Sequence, residues 1–148
     1  MVRYDIKDGV LVGYSGSAKN LLIPAGVVGI ADGVFAGDDM VESVCFPSGM
    51  EWIGEGAFEG CRRLSKAVFS ETLIRIGDDA FKGCTGLTEV YLPSSVREVG
   101  YSAFGECREL RTVSIAEGLN LAGKGVFQKS GGKQRIQLQK RVRIDNLI

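Results

Sequence analysis

Apolar residues along this chain recur at a fixed interval of 23 positions. Five phenylalanines keep the interval without an insertion, and a second apolar column keeps it five positions earlier. Six apolar-x-apolar pairs share the register, and each pair predicts a short strand whose alternate side chains point inward. The interval predicts a repeat protein in which each 23-residue unit forms one coil. The phenylalanine column is Phe35, Phe58, Phe81, Phe104 and Phe127, the second column is Ile30, Ile53, Ile76 and Val99, and the inward pairs are Leu21/Ile23, Val44/Phe46, Ala67/Phe69, Val90/Leu92, Val113/Ile115 and Ile136/Leu138.

One coil of this length has too few apolar side chains to bury itself, so it becomes stable only when neighbouring coils stack on it. Strands of successive coils then pair in parallel about 4.8 Å apart, which predicts a sheet of five or six strands about 25 Å across. The coil leaves no room for a long helix on its far side. We therefore predict a β-rich α/β solenoid. It is a right-handed superhelix with a parallel sheet on its concave side and short strands, turns and single helical turns on its convex side.

The two ends differ from the repeats, as capping units must. Residues from Tyr4 to Val12 alternate between apolar and polar, and Asp8-Gly9 interrupts them with a two-residue hairpin signal. After Phe127 the chain ends in the alternating segment IQLQKRVRI, which predicts a last strand. We expect one domain over residues 1–148. It comprises an N-terminal hairpin cap at 1–20, repeats at 21–127 and a C-terminal strand or cap at 128–148.

Three consecutive units carry the repeat in its most regular form. They read IGEGAFEGCRRLSKAVF, IGDDAFKGCTGLTEVYLP and VGYSAFGECRELRTVSIA, and the first two match Ile-Gly-x-x-Ala-Phe-x-x-Cys-x-x-Leu completely. Residues 21 to about 127 thereby resemble the repeats of BspA-like leucine-rich repeat proteins, the type also found in Treponema. Two other units depart from this pattern. The first unit of the chain differs at Val34 and Asp38, and its last unit differs at Ser130 and Lys133.

The resemblance implies a curved solenoid with a parallel sheet on one side. It also implies a secreted or surface-displayed bacterial protein that adheres to host or matrix proteins, without enzymatic activity. The N-terminal residues MVRYDIKDG lack the apolar stretch of a signal peptide, so we expect a chain made without an export signal or one that has lost it. No apolar run is long enough to predict a membrane span.

Charge is balanced over the whole chain but not along it. Of the 18 basic and 18 acidic residues, seven basic residues and one acid follow position 123, which leaves 11 basic against 17 acidic residues before it. The balance excludes a strongly basic nucleic-acid binder. The basic tail predicts a protected sheet edge, since charged edge residues hinder pairing with other chains. The alternative is a site for an anionic partner or for self-association.

Several segments imitate catalytic motifs without completing them. The chain has no histidine and no CxxC pair, so we expect no metal site and no cofactor. Residues 118–125 read GLNLAGKG, a P-loop pattern in which Gly125 replaces the Ser or Thr that would hold magnesium. The sequence around Ser15 resembles a nucleophile elbow but lacks the last glycine and a base. The paired acids Asp38/Asp39 and Asp78/Asp79 lie in bends, where short acids satisfy turn backbone. We expect no enzymatic activity.

The four cysteines fall into two groups. Cys61, Cys84 and Cys107 share one apolar column, which favours buried, reduced thiols packed as small hydrophobes. Cys45 lies between the inward residues Val44 and Phe46, so we expect it to face outward and to be the reactive one.

Strand alternation also identifies the outward face of the predicted concave sheet. Its central column is apolar at the N-terminal end, and an exposed apolar patch on a rigid sheet is typical of an interface. We predict a protein-interaction or adhesion module centred on Tyr91, with Trp52 on the opposite wall as a second candidate. The alternatives are that Val68 and Tyr91 merely suit a strand, or that the chain is a structural block of a longer surface array. The central column is Leu22, Cys45, Val68, Tyr91, Ser114 and Gln137, the neighbouring column is Ser43, Lys66, Glu89, Thr112 and Arg135, and the predicted contact residues are Tyr91, Val68, Cys45, Lys66, Glu89, Ser114 and Arg135.

Overall fold

A computed structural model of the chain describes residues 1–116, 121–131 and 135–138, with backbone only for 121 and 135–138. Thirteen short strands connected by turns make up this part of the chain, and it contains no helix. Strands alternate between two walls of a solenoid. The first wall is formed by β3 (Asn20–Leu22), β5 (Ser43–Cys45), β7 (Lys66–Val68), β9 (Glu89–Leu92), β11 (Thr112–Ile115) and β13 (Arg135–Leu138), and the second wall by β1 (Arg3–Lys7), β2 (Val10–Ser15), β4 (Gly29–Ile30), β6 (Trp52–Ile53), β8 (Arg75–Ile76), β10 (Glu98–Val99) and β12 (Leu121–Ala122).

The predicted N-terminal hairpin is confirmed. Strands β1 and β2 pair antiparallel, and Asp8 and Gly9 turn between them with φ angles of 50° and 79°. Such left-handed angles at both positions are what a tight two-residue hairpin turn needs. Strand β2 then pairs in parallel with β4, so that Leu11 lies opposite Ile30. The hairpin therefore begins the sheet of the second wall, in the order β1-β2-β4-β6-β8-β10-β12.

The strands of the first wall also pair in parallel at the repeat interval, for example Leu21 with Val44 and Thr112 with Glu89. They form two three-stranded ladders, β3-β5-β7 and β9-β11-β13, instead of the single sheet expected from the sequence. The interruption lies beside Ala67, the smallest residue of its inward column. Ala67 is half-buried, whereas Val44 and Val90 in the same column are buried.

Stacked aromatic rings fill the space between the walls. The five phenylalanines of the repeat are all buried, and successive ring centroids lie 4.8, 5.1, 5.2 and 5.5 Å apart with interplanar angles of at most 15°. Tyr14 of the hairpin begins this column at 4.8 Å from Phe35. A second aromatic pair, Phe46 and Phe69, meets the column edge-on. These spacings match the distance between paired strands, so each coil is packed directly on the next.

The bend after each second-wall strand is made of turns, with no helical turn among the described residues. Two columns of the bend have left-handed backbone in every coil, which favours glycine. The bends also bond to one another, because the N–H of Phe58 donates to the Ala80 carbonyl at 2.7 Å and that of Phe81 to the Ala103 carbonyl at 2.7 Å. The first left-handed column is Gly33, Gly56, Asp79, Ser102 and Gly125, and the second is Gly37, Gly60, Gly83, Glu106 and Lys129.

Candidate functional site

The outward side chains of the first-wall strands form a surface that we call the strand face. Leu22, Val68 and Tyr91 are 72%, 44% and 42% exposed, and Cys45 is exposed as well. Backbone pairing places Leu22 beside Cys45 and Cys45 beside Val68. Four consecutive coils thus present an apolar or weakly polar residue to solvent in one line. Ser114 continues the line beside Tyr91 and is half-buried.

Charged and polar residues border this line on one side. Lys66 and Glu89 are exposed, and among the residues that the structure describes no salt bridge joins them. Ser43, which pairs with Lys66, donates from its hydroxyl to the Asn20 side-chain oxygen at 2.7 Å. The backbone of Arg135 pairs with Thr112, while its side chain and that of Gln137 lie outside the described part.

The break between the two ladders crosses the strand face at its centre. Val68 ends β7 and Tyr91 lies in β9, so the two largest side chains of the central part stand on opposite sides of the break. The sequence did not predict this feature. Inward and outward residues alternate regularly through both strands. This alternation does not indicate whether the two strands form hydrogen bonds with each other.

The buried cysteines have a structural task that the sequence reasoning missed. All four cysteines are free, with Cys45 exposed and the other three buried, as predicted. Each buried thiol donates a hydrogen bond to the carbonyl of the phenylalanine one coil earlier, at 3.1 Å for Cys61 to Phe35, 3.1 Å for Cys84 to Phe58 and 3.3 Å for Cys107 to Phe81. Ser130 replaces cysteine in the last unit and donates its hydroxyl to the Phe104 carbonyl in the same way.

These surroundings keep the thiols of Cys84 and Cys107 protonated. Hydrogen bonding with the Cys61 thiol, together with burial, holds the pKa of Cys84 well above its ordinary value. Burial raises the pKa of Cys107 to about 12. Because the thiolate is the reactive form, these two cysteines are poor nucleophiles. Cys45 is therefore the cysteine of the strand face that reagents and partners can reach.

Acidic side chains in the bends satisfy backbone N–H groups, as the sequence predicted. Asp38 accepts from the N–H groups of Met40 and Val41 at 2.9 and 3.2 Å. Asp78 accepts from the Tyr101 N–H at 2.7 Å, one coil further on. The glycines of the P-loop-like segment also follow the repeat. A Cβ at Gly123 would lie 2.4 Å from the Tyr101 nitrogen, and Gly125 belongs to a left-handed column; residues 118–120 of that segment lie outside the described part.

Trp52, the second candidate, lies on the outer side of the second wall. Its side chain is half-buried because it covers Gly29, where a Cβ would come within 2.0 Å of the indole ring. Val28 and Ile74, one position before the two residues that pair with Trp52, are exposed as well. The second wall therefore carries a few exposed apolar residues close in sequence register to one aromatic residue.

A polar pocket in the bend was not predicted. It is lined by Lys82, Ser102, Gly105, Glu106, Gln128 and Lys129. The available signal was a break in the repeat, since Ser102 and Glu106 replace glycines of two columns in the same coil. Neither here nor elsewhere among the described residues does a group of three or more Cys, Asp or Glu side chains exist that could hold a metal ion.

Within the described part of the chain, no helix is long and apolar enough to cross a bilayer.

Parallel strands of successive 23-residue coils, stacked phenylalanines and a column of buried leucines together define a leucine-rich repeat solenoid. The leucine column is Leu64, Leu87 and Leu110. A family model for the BspA-type leucine-rich repeat region matches residues 7–143 with six copies of the repeat. The chain belongs to this family. Among curated protein sequences, none matches it.

Solved structures of bacterial leucine-rich repeat proteins share the fold. A leucine-rich cell surface protein from Faecalibacterium prausnitzii is 23% identical with a TM-score of 0.86, over 95% of this chain and 38% of that one. The pneumococcal vaccine antigen PcpA is 22% identical with a TM-score of 0.77, over 96% and 37%. A leucine-rich repeat protein of Treponema pallidum is 25% identical with a TM-score of 0.58, over 82% and 80%. This chain thus spans well under half of the first two proteins.

Proposed function

We propose that this chain is a non-enzymatic protein-interaction module that binds a protein partner on its strand face. The observation that carries the proposal is the line of exposed residues Leu22, Cys45, Val68 and Tyr91 over four consecutive coils. Exposed apolar side chains that adjoin one another are favoured in interfaces, because a partner removes their surface from water at little other cost. Tyr91 is the expected anchor, since tyrosine is enriched among residues that dominate binding energy.

Rigidity of the strand face supports the same function. The inward neighbours of the exposed line, such as Val44, Val90 and Leu92, are at most 2% exposed and fix the strands from below. A side chain held on a packed strand loses little further freedom when a partner binds. Preorganisation of this kind increases affinity without any additional contact.

Charged groups beside the line supply selectivity. Lys66 and Glu89 adjoin Val68 and Tyr91 and form no salt bridge with each other among the described residues. We therefore expect a partner that presents apolar side chains between one acidic and one basic group. Such rim charges affect mainly the rate of association and the choice of partner. Ser114 and Arg135 extend the proposed contact toward the C-terminal end.

The experiment uses Cys45 as an attachment point for a photocrosslinker. The other described cysteines are buried, so a maleimide-linked benzophenone reacts at Cys45 in the folded protein. After exposure to a concentrated protein extract and illumination, we expect a discrete crosslinked species that Tyr91→Ala diminishes. The matched control is Cys45→Ser with Arg75→Cys, which places the same probe on the second wall. The same species from both attachment points, or no effect of Tyr91→Ala, would contradict binding on the strand face.

A second function is favoured by the comparison of lengths. This chain spans 38% and 37% of the two structural neighbours described first, one of which is a cell surface protein. The chain would then be one block of a longer array displayed outside a bacterial cell, without a ligand site of its own. Additional 23-residue units continuous with this chain in its gene, together with unaltered crosslinking in the Tyr91→Ala variant, would favour the array.

Self-association through the basic C-terminal edge stays a prediction, and sedimentation at low and high salt tests it.

A further inference from the structure

The polar pocket in the bend is a place where the repeat itself has been altered. It is an open cleft of about 320 Å³, part of which is bulk solvent, between the coils that carry Lys82, Gly105 and Gln128. These three residues belong to one column of the repeat, whose other members are Ala36 and Glu59. Only the glycine lacks a side chain. Its backbone is not left-handed, so the chain conformation does not require glycine there.

Three residues that line the pocket have left-handed backbone although they are not glycine. They are Ser102, Glu106 and Lys129, with φ angles of 52°, 56° and 58°. The equivalent positions of other coils are glycine in most cases, and glycine adopts this conformation without the clash that a Cβ introduces. Residues in sparsely populated φ/ψ regions cluster at functional sites more often than elsewhere. Among the described residues, the bends contain four such residues, and three of them line this one pocket.

The side chains that replace glycine bring polar and charged groups to the pocket. Ser102 is 7% exposed, and its hydroxyl has no hydrogen-bond partner among the described residues. Glu106 and Lys82 are half-buried, and Lys129 is exposed at the rim. Within the part of the chain that the structure describes, none of these charged groups takes part in a salt bridge. Half-buried charged groups are costly to leave without partners, and the Ser102 hydroxyl is open to the pocket.

We infer that this pocket binds a small zwitterion of the free α-amino acid class. The ligand's carboxylate faces Lys82 and Lys129 and accepts from the Ser102 hydroxyl, and its ammonium group faces Glu106. Two cationic groups and one carboxylate around a narrow cavity match this arrangement of opposite charges. A simple anion would leave Glu106 facing a like charge. The absence of a side chain at Gly105 provides the space.

The repeat supplies variants that remove the ligand groups without loss of packing. Ser102→Gly and Glu106→Gly restore the glycine that other coils have at these positions, so both proteins should fold at least as well as the parent. The matched control is Asp79→Gly. Asp79 has the same left-handed backbone, with a φ of 55°, in the same column as Ser102, but does not line the pocket.

The test is a titration of ¹⁵N-labelled protein with glycine and L-alanine, followed by amide chemical shifts, with acetate and methylammonium as single-charge probes. We expect saturable shifts confined to the pocket residues, with an affinity for the amino acids about tenfold above that for acetate, as one additional charged contact provides. Ser102→Gly and Glu106→Gly should each weaken binding about tenfold or more, and Asp79→Gly should not change it. Equal binding of acetate would overturn the assignment of a zwitterion. Absence of saturable shifts in the parent protein would overturn the site itself.

Discussion

Phe81 lies at the centre of the stacked column, so its truncation measures how much the stacking of coils contributes to stability. The ring is fully buried, with neighbours at 5.1 Å (Phe58) and 5.2 Å (Phe104) and an edge contact to Phe69 at 5.6 Å. Truncation of a buried phenylalanine to alanine costs about 3–5 kcal/mol. Loss of three ring pairs, each worth about 0.5–1.5 kcal/mol beyond burial, places Phe81→Ala near the upper end of that range.

Urea denaturation followed by circular dichroism and by the fluorescence of Trp52 measures this loss. Trp52 is the only tryptophan of the chain and lies on the second wall, away from the substitution. The control is Tyr101→Ala, which removes a half-exposed ring from the bend of the next coil, and it should cost under about 0.5 kcal/mol. A loss below about 1 kcal/mol for Phe81→Ala would refute the buried column, because truncation of a buried phenylalanine costs more than this.

Four further predictions concern the bend, the second wall and the thiols. Asp79→Gly removes a Cβ from left-handed backbone and should raise stability by about 0.5 kcal/mol, so a lowered melting temperature would count against strain at this position. Gly29→Val should displace the Trp52 ring that covers Gly29, with a red shift of its emission; an unchanged spectrum would mean that the two do not touch. A thiol reagent at pH 8 should modify Cys45 alone among the described cysteines of the native protein, and rapid modification of a second one would contradict their burial. The raised pKa of Cys107 means that folding favours its protonated form. Its contribution to stability is therefore fully present below about pH 9 and is lost as the pH rises toward 12, and the stability difference from Cys107→Ala should shrink over that interval.

The fold could be predicted from the sequence because each level of structure repeats the same information. The interval between Phe35 and Phe58 fixes the length of a coil, and the alternation around Val44 fixes which side chains face inward. Asp8-Gly9 specifies the hairpin turn by its own backbone preference, and the left-handed φ angles of both residues agree with it. The exposure of Val68 and Tyr91 followed from the same alternation.

Other features depend on contacts that a repeat pattern does not encode. The gap between the ladders at Ala67 depends on the distance between β7 and β9, and both strands keep the usual repeat pattern. The hydrogen bond from Cys84 to the Phe58 carbonyl requires the thiol to point along the coil axis, whereas the column suggested only apolar packing. Gly105, which has no side chain, lines the polar pocket. Its sequence signal, serine and glutamate at glycine positions, gains meaning once the backbone angles of Ser102 and Glu106 are known.

The central claim is that equivalent residues of successive coils lie directly on one another. Removal of one complete coil is the most direct test of this claim. Deletion of residues 67–89 removes 23 positions and joins Lys66 to Val90, so every column stays in register with one member fewer. Deletion of residues 67–88 removes 22 positions and shifts all later columns by one. We predict that the first variant keeps a cooperative urea transition and a strand-type circular dichroism spectrum, with reduced stability, and that the second loses the transition. Equal folding of the two variants, or loss of folding in both, would contradict the account.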